Sequence, residues 1–379
     1  MEVSLVLTHA CNLACTYCYT GDKKQVAMPR DVALAALDLA FSLEKLDDEP
    51  LVLGFFGGEP LLEWELLCEV AAAARDRAHA SGRELVLQLT TNGTLLSRAR
   101  AATLEALGVH VALSLDGTRE AHDASRLTTK GGGSHAAARR AMTTLLEART
   151  AFDVISVVHP GNVALLEDGV RELMDAGARR VMLNVDFGAG ARGVPWSEDA
   201  LAELRLGYLR AAAVMVAWWR RGRAVRVDPI VGALVALAKG HRAGADLCGA
   251  GQSSVAVAPS GRLYGCARSV GEDLGERAIG HVRTGFAARV ATSHDVSDRG
   301  PRACGSCESK DRCERGTARA ACEEETGDPR TAGPVLCAHQ GALEDVARRV
   351  TRAMLAERNR IYLAMTGMVR GIDEEGIPS

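Results

Sequence analysis

Three cysteines follow the first apolar run of the chain, separated by three and then two other residues. Cys11, Cys15 and Cys18 come shortly after the strand-like segment 3–7. Three thiolates at this spacing can each bind one iron of a cubane iron–sulfur cluster, which leaves the fourth iron without a protein ligand. A closed zinc site would need a fourth protein ligand, and only His9 lies nearby in the sequence. The spacing therefore predicts a cluster with one iron open to a small-molecule ligand.

Composition indicates an ordinary globular protein with neither a membrane nor a nucleic acid as its main partner. Of the 379 residues, 47% are hydrophobic and 25% are charged, and the net charge is -3. This balance gives no electrostatic reason to bind nucleic acid. The longest apolar helical segment, 209–219, is too short to span a bilayer, and the amino terminus lacks the features of a signal peptide. We therefore expect a cytoplasmic protein.

The chain has eleven cysteines, and their distribution is uneven. Three lie at 11–18, one is Cys68, and seven lie between 248 and 337. Because the cytosol keeps thiols reduced, this number points to metal or redox chemistry rather than to a disulfide framework. Two separate metal-binding regions are the simplest interpretation.

Strand-like and helical patterns alternate through the first half of the chain. The predicted strands are 3–7, 51–56, 84–90, 110–115, 152–158 and 180–185. The predicted helices between them are 30–46, 61–81, 98–107, 134–149 and 163–176. Such alternation predicts an α/β fold in which helices cover a parallel sheet. Periodicity alone does not separate an incomplete (β/α)6 barrel from a doubly wound sheet.

Three domains are predicted along the chain. Residues 1–225 form the α/β domain, and residues 226–340 form a small cysteine-rich domain with a linker. The latter is too poor in apolar residues to bury a normal core, so bound clusters would have to stabilise it. Residues 341–379 are predicted to form a carboxy-terminal helix, from Gly341 to about Thr366, and an acidic tail.

The cysteine motif resembles the signature of a known enzyme family. Cys11, Cys15 and Cys18, with Tyr17 as the aromatic residue before the last cysteine, are similar to the Cys-x-x-x-Cys-x-aromatic-Cys motif of the radical S-adenosylmethionine (SAM) enzymes. In that family SAM binds the open iron, and one electron from the cluster cleaves SAM to give a 5'-deoxyadenosyl radical. The resemblance implies a partial (β/α)6 TIM-like barrel.

A glycine-rich element at the end of the second predicted strand extends this resemblance. Gly57, Gly58 and Glu59 are similar to the element that grips the amino group of SAM in that family. Two glycines allow a ligand to approach the backbone closely, and a carboxylate can pair with an ammonium group. The alternative is a plain strand-to-helix turn, with Pro60 at the start of the helix.

Further SAM contacts are implied at the ends of the next two strands. The run from Ser114 through Asp116 to Arg126 resembles a stretch of the SPASM-type peptide-modifying radical SAM enzymes. The resemblance implies that Ser114 and Asp116 approach the SAM ribose or carboxylate and that Arg126 pairs with the carboxylate. Asn92, in Thr-Asn-Gly after the third strand, would line the same pocket, although Asn-Gly is also a common turn.

The carboxy-terminal cysteines resemble the SPASM domain, which carries two auxiliary 4Fe-4S clusters. The resemblance implies one cluster on Cys304, Cys307, Cys313 and Cys337, and another on Cys248, Cys266 and Cys322. The second set lacks one early cysteine of the family pattern, so one of its irons is expected to be open or the site incomplete. A zinc ribbon of Cys304, Cys307, Cys313 and Cys322 is the alternative. Cys68 is predicted to be a small buried apolar residue.

The reaction implied by the resemblance is radical modification of a peptide. We expect a maturase that removes hydrogen from a ribosomally made precursor peptide and installs an intrachain thioether or carbon–carbon crosslink. Expected partners are an electron donor such as flavodoxin or ferredoxin and a separate leader-peptide recognition protein. Sulfatase maturation by formylglycine formation is an alternative, although that branch places an aspartate where Ala267 stands. An electron-transfer protein without SAM chemistry is a further alternative.

Four other polar residues follow predicted strands. His9 and His159 are expected to be hydrogen-bonded structural histidines. Asp186 and Arg192, after the sixth strand, would either contact substrate or lie in a solvated loop.

Overall fold

The computed structural model describes residues 1–43, 49–240, 249–251, 253–287, 304, 306–309, 312–313, 319–328 and 331–368. The chain forms two compact units, each built from separate stretches. Unit 1 comprises Met1–Leu115, His122–Asp153 and Gly249–Thr292, and unit 2 comprises Asp116–Ala121, Val154–Cys248 and Ser293–Ser379.

Strands and helices alternate as the sequence predicts. The strands are β1 Glu2–Thr8, β2 Leu51–Gly57, β3 Leu85–Thr91, β4 Val109–Ser114, β5 Phe152–Val158, β6 Arg180–Val185, β7 Arg226–Asp228, β8 Ser254–Val257, β9 Arg262–Tyr264, β10 Gly280–His281 and β11 Gly285–Phe286. The helices are α1 Arg30–Ser42, α2 Trp64–Ser81, α3 Arg98–Ala106, α4 Arg119–Asp123, α5 His135–Ala148, α6 Leu166–Asp175, α7 Glu198–Arg220, α8 Ile230–Lys239, α9 Arg319–Thr326, α10 Pro334–Ala356 and α11 Arg360–Met365.

In unit 1 the strands lie in the order β11-β10-β9-β8-β1-β2-β3-β4. From β8 to β4 the neighbours are parallel, whereas β8 to β11 are antiparallel. The order does not return on itself, so the parallel sheet is open, as expected for a partial barrel. Because parallel neighbours end at the same edge, the loops after β1, β2, β3 and β4 are brought together.

The central strand β1 is buried on both faces from Val3 to Thr8, which explains its largely apolar sequence. Its register with β2 is regular up to Val6 and shifts between Val6 and Thr8. Such an irregularity bends a strand locally. The bend lies immediately before the cysteine loop.

Local signals define several helix ends. Ser97 and Ser197 cap α3 and α7, because each hydroxyl accepts a main-chain N–H three residues later. Gly82 ends α2 in the left-handed conformation, with a φ of 63°, which suits glycine. These residue types therefore define the helix ends locally.

Unit 2 contains the parallel strands β5, β6 and β7, together with a layer of helices. Helix α10 packs against α7 and α8. Tyr208 of α7 and His339 of α10 are both buried, and the Tyr208 hydroxyl lies 2.8 Å from His339 Nδ1. The terminal helical region therefore docks on the preceding helices, as predicted.

Two element boundaries differ from the sequence-based ones. The terminal helix begins at Pro334 rather than Gly341, and it ends at Ala356 before a separate helix, α11. Proline is favoured in the first helical turn, where its missing N–H costs nothing. In the described part of the chain, no helix has both the length and the apolar character needed to cross a membrane.

Candidate functional site

The cysteine loop leaves β1 and is held to the segment 125–128 of unit 1. The Ala14 N–H donates to the Leu127 carbonyl at 2.7 Å, and the Thr16 N–H donates to the Ser125 carbonyl at 3.0 Å. All three cysteines of the loop are half-buried. Main-chain bonds therefore hold the loop, and its thiol groups are left to interact with side chains.

The Cys11 sulfur lies near neutral donors. It is 3.4 Å from the main-chain nitrogen of Leu13 and 3.9 Å from Asn92 Nδ2. Burial raises the pKa of the Cys11 thiol above its usual value. Binding iron would therefore have to offset the cost of removing the proton from a buried thiol.

The Cys18 sulfur lies beside a cation. Lys23 Nζ donates to Cys18 Sγ at 2.8 Å, and the Thr20 hydroxyl lies 3.2 Å from the same sulfur. Burial raises the pKa of the Cys18 thiol, but the hydrogen bonds and charge of Lys23, with the help of Thr20, hold that pKa below its usual value. This environment favours a thiolate, which is the form that binds metal.

The glycines after β2 pack on the chain that enters the cysteine loop. The Gly58 N–H donates to the Thr8 carbonyl at 2.8 Å, and the Glu59 N–H donates to the Ala10 carbonyl at 2.9 Å. A Cβ on Gly58 would overlap the Ala10 carbonyl oxygen, and Gly57 has a φ of 144°. Glycine is therefore required here for backbone packing, independently of any ligand.

Glu59 is fully buried and heavily hydrogen-bonded. Its carboxylate accepts the Leu61 N–H at 3.0 Å, the Thr91 hydroxyl at 2.7 Å and the Asn92 N–H at 2.8 Å. Burial raises the pKa of this carboxyl group, whereas these hydrogen bonds oppose the rise. A carboxylate offers about four acceptor positions. Three are used by the protein, which leaves about one for a ligand.

Asn92 lies in a side-chain network next to the cysteine loop. Its Nδ2 donates to Asn12 Oδ1 at 2.9 Å, and its Oδ1 accepts the Thr94 N–H at 2.9 Å. Asn12 Nδ2 in turn donates to the Thr94 hydroxyl at 2.7 Å. The structure thus places Asn92 beside Cys11, and it adds Asn12, which the motif reading did not single out.

Arg126 and Tyr17 lie together on the other side of the loop. The Arg126 guanidinium carbon is 5.2 Å from the centroid of the Tyr17 ring, a distance that permits a cation–π contact. The Arg126 carbonyl accepts the Ser134 hydroxyl at 2.6 Å, and His122 Nε2 is 2.9 Å from that hydroxyl. Ser114, at the end of β4, is also buried.

Asp116 belongs to unit 2 and has a structural hydrogen bond. Its Oδ1 accepts the Val157 N–H at 2.9 Å, and its side chain lines a cavity of about 20 Å³ with Ser156 and Asn162. Such a cavity holds about one water molecule. The implied contact between Asp116 and SAM stays a prediction.

Five carboxy-terminal cysteines of unit 2 lie close enough for some of them to shift the pKa values of others electrostatically. The pKa of Cys337 is raised by burial and then by the thiols of Cys304, Cys313 and Cys307. The pKa of Cys322 is raised to about 11 by burial, Glu325, and the thiols of Cys313 and Cys337. The structure therefore gathers these cysteines in one region.

The second auxiliary set cannot be assembled from the described residues. Cys266, in unit 1, has its sulfur 3.3 Å from the Ser269 hydroxyl. Cys248 lies outside the described residues. The shared cluster of Cys248, Cys266 and Cys322 thus stays a prediction.

The cysteine loop fits an iron–sulfur cluster in its donor chemistry. Within the described ranges, no three His, Cys, Asp or Glu side chains converge enough to hold one metal ion. A cubane needs a wider arrangement, because each thiolate binds a different iron. Cys11 and Cys18 accept hydrogen bonds from nitrogen donors, as cluster thiolates do.

The four weaker candidates fall into different environments. His9 is buried, and its Nε2 has no hydrogen-bond partner among the described residues; its pKa is lowered mainly by burial. His159 Nδ1 accepts the Gly161 N–H at 3.1 Å. Asp186 is buried and forms an ion pair with Arg192, so this pair does not lie in a solvated loop.

Known sequences support the motif-based interpretation. Residues 5–168 match the Radical SAM superfamily. The chain is 30% identical over 327 residues to the mycofactocin maturase MftC of Mycobacterium ulcerans, which covers 82% of this chain and 80% of MftC. It is 27% identical over 268 residues to the serine-type anaerobic sulfatase-maturating enzyme of Klebsiella aerogenes, which covers 68% of this chain. It spans 64% of the length of that enzyme and 61% of that of protein MJ0907 of Methanocaldococcus jannaschii.

Solved structures support the fold. The structure of anSMEcpe with bound AdoMet and the Cp18Cys peptide has a TM-score of 0.78 at 17% identity, covering 94% of this chain and 100% of that chain. Streptococcus suis SuiB bound to its precursor peptide SuiA has a TM-score of 0.59 at 14% identity, covering 88% and 75%. The fold is thus that of the radical SAM enzymes, as predicted. The chain belongs to the radical SAM superfamily, in the branch that includes maturases of peptides and proteins.

Proposed function

We propose that this protein is a radical SAM maturase that installs an intrachain crosslink in a ribosomally made precursor peptide. The observation that carries the proposal is the arrangement of unit 1, where the loops that follow β2, β3 and β4 contact the cysteine loop that follows β1. The relation to MftC, together with the peptide complexes of SuiB and anSMEcpe, supports a peptide substrate.

In this proposal Cys11, Cys15 and Cys18 hold a 4Fe-4S cluster whose open iron binds SAM. When bound, the cluster and SAM together would supply a 5'-deoxyadenosyl radical that removes hydrogen from an unactivated carbon. Arg126, held against Tyr17, would bind the SAM carboxylate through its guanidinium group.

Other residues complete the proposed SAM site. The remaining acceptor position of Glu59, beside Gly57 and Gly58 in the sequence, would take the SAM ammonium group. Ser114 and Asn92, at the ends of β4 and β3, would line the pocket. Burial of Glu59 and Arg126 excludes water from their charged groups, which strengthens any pairing with a ligand.

The carboxy-terminal cysteines would hold the auxiliary clusters. Cys304, Cys307, Cys313 and Cys337 would supply four ligands in unit 2, and Cys266 would supply one in unit 1. An auxiliary cluster can accept the second electron that crosslinking removes from the peptide, because crosslinking is a two-electron oxidation. An external one-electron donor such as flavodoxin or ferredoxin would start each turnover.

Sulfatase maturation is the second candidate, favoured by the relation to the Klebsiella enzyme and by the anSMEcpe fold. The two reactions give different products. A thioether or carbon–carbon crosslink removes two hydrogen atoms and joins two residues, whereas formylglycine formation from cysteine or serine leaves an aldehyde and joins none.

The test is anaerobic incubation of the reconstituted protein with SAM, a reductant and candidate peptides. We expect 5'-deoxyadenosine and a peptide that has lost two hydrogen atoms, in which tandem mass spectrometry shows two joined residues and an aldehyde reagent finds no aldehyde. An aldehyde in a sulfatase-derived peptide would replace the crosslinking proposal with formylglycine formation. Failure to cleave SAM would overturn both and favour an electron-transfer protein.

A further inference from the structure

Lys23 lies beside the third cysteine of the loop, although no sequence motif singled it out. Its Nζ donates to Cys18 Sγ at 2.8 Å and also to the hydroxyl of Thr20. The Lys23 side chain is half-buried, so its charge is only partly screened by solvent. A cation is therefore held at one specific sulfur of the loop.

The chain segment that carries Lys23 is fixed by Glu272. Lys24 Nζ lies 2.8 Å from Glu272 Oε2, and the Asp22 N–H donates to Glu272 Oε1 at 3.4 Å. Gly21 has a φ of 71°, and its Cβ position is filled by the Glu272 side chain. Glu272 thus binds one lysine of the pair and leaves the other directed at Cys18.

Other charged and titratable groups also lie near this segment. His9 interacts electrostatically with Lys23, Lys24, Glu272 and Asp273. Both carboxylates have other partners, because Glu272 binds Lys24 and Asp273 accepts the hydroxyl of Tyr264 at 2.8 Å. The Cys11 sulfur, by contrast, has the neutral donors of Leu13 and Asn92 beside it.

The reduction potential of an iron–sulfur cluster depends on nearby charge and on hydrogen bonds to its sulfurs. Reduction adds one negative charge, which a neighbouring cation stabilises. We propose that Lys23 is a positioning residue that raises the reduction potential of the cluster held by Cys11, Cys15 and Cys18. This inference rests on the proposed function. One electron passes from an external low-potential donor to the cluster.

The test is an anaerobic redox titration followed by electron paramagnetic resonance, with iron content measured on the same samples. The signal that changes on addition of SAM identifies the cluster of interest among the others. Lys23→Met removes the charge and the hydrogen bond, Lys23→Gln removes the charge but keeps a side-chain N–H donor, and Lys23→Arg retains the charge. Lys239→Met is the control, since it makes the same charge change at an exposed residue of α8.

We expect Lys23→Met to lower the ratio of reduced to oxidised cluster about tenfold at a fixed applied potential, which for one electron corresponds to about 59 mV. Lys23→Gln should produce most of that shift. Lys23→Arg and Lys239→Met should produce little shift. The iron content of all four variants should match that of the wild type.

Three results would overturn the proposal. The first is an equal potential in Lys23→Met and wild type, and the second is an equal shift in Lys23→Met and Lys239→Met. The third is loss of the cluster in both Lys23→Met and Lys23→Gln, which would make Lys23 an assembly residue instead. Absence of any SAM-responsive signal in the wild type would instead contradict the proposed function, so the two failures are distinguishable.

Discussion

The buried Glu59 carboxylate accepts the main-chain N–H of Asn92 at 2.8 Å and so joins the loop after β2 to the loop after β3. A motif reading assigns Glu59 to a ligand, but most of its acceptor positions are used within the protein. Its first role is to hold two strand ends in place beside the cysteine loop.

Replacing Glu59 with glutamine should destabilise the protein. The new NH2 group would face at least one N–H or hydroxyl donor, and a buried unsatisfied group costs about 1–3 kcal/mol. Chemical denaturation of the cluster-free protein measures this loss. Glu65→Gln, on the exposed part of α2, is the control and should change little. Equal stabilities of Glu59→Gln and Glu65→Gln would contradict the structural role.

Replacing Gly58 with alanine should disturb the cysteine loop itself. The added Cβ would overlap the Ala10 carbonyl oxygen, so the backbone between β1 and Cys11 would have to move. We expect lower stability and a lower iron content after reconstitution. Gly341→Ala is the control, because its Cβ meets open space and should stabilise α10 by about 0.5–1 kcal/mol. Normal iron binding in Gly58→Ala would show that the overlap is relieved without moving the loop.

Removing the loop cysteines should remove one cluster and no more. Replacing Cys11, Cys15 and Cys18 together with alanine should lower the iron content by about four atoms per chain and abolish SAM cleavage. Cys68→Ala should retain all of the iron, because Cys68 lies on α2 away from the other motifs. Iron analysis of anaerobic protein measures both. Unchanged iron in the triple variant would place the iron entirely at the carboxy-terminal cysteines.

The folded protein should lose stability at alkaline pH because of the Tyr264 hydroxyl. Burial, followed by its hydrogen bond to Asp273, raises the pKa of Tyr264 to about 12, whereas an unfolded tyrosine titrates near about 10. The folded state therefore holds the proton more tightly. The stability from this proton is fully present below about pH 10 and is lost as the pH rises towards about 12.

The matching variant for this effect is Tyr264→Phe, which has no phenolic proton. We expect wild-type stability, measured by urea unfolding of cluster-free protein, to fall relative to Tyr264→Phe as the pH rises above about 9. Groups shared by both proteins cancel in the comparison. A constant difference between the two proteins over this range would show that the Tyr264 pKa is not raised.

Much of the site could be predicted because it is local in the sequence. The spacing of Cys11, Cys15 and Cys18 is a property of one short loop, and Gly58 and Asn92 each follow a strand whose apolar pattern is easily read. Parallel strands end at one edge of a sheet, so these separate loops could be expected to meet. Helix boundaries such as the start of α10 at Pro334 were harder to predict from the sequence, since tertiary contacts with α7 and α8 extend the helix.

The sequence by itself determined the cluster loop, the strand–helix alternation and the membership of a family, because these depend on residue type and spacing along the chain. Only the tertiary structure decided that Glu59 is satisfied by Asn92 and Thr91, that Asp186 is buried with Arg192, and that Lys23 rather than Lys24 reaches Cys18. Each of these depends on which of several possible partners is nearest after folding. Glu272 makes that choice for the two lysines from a position about 250 residues away along the chain, a distance over which no local pattern carries information.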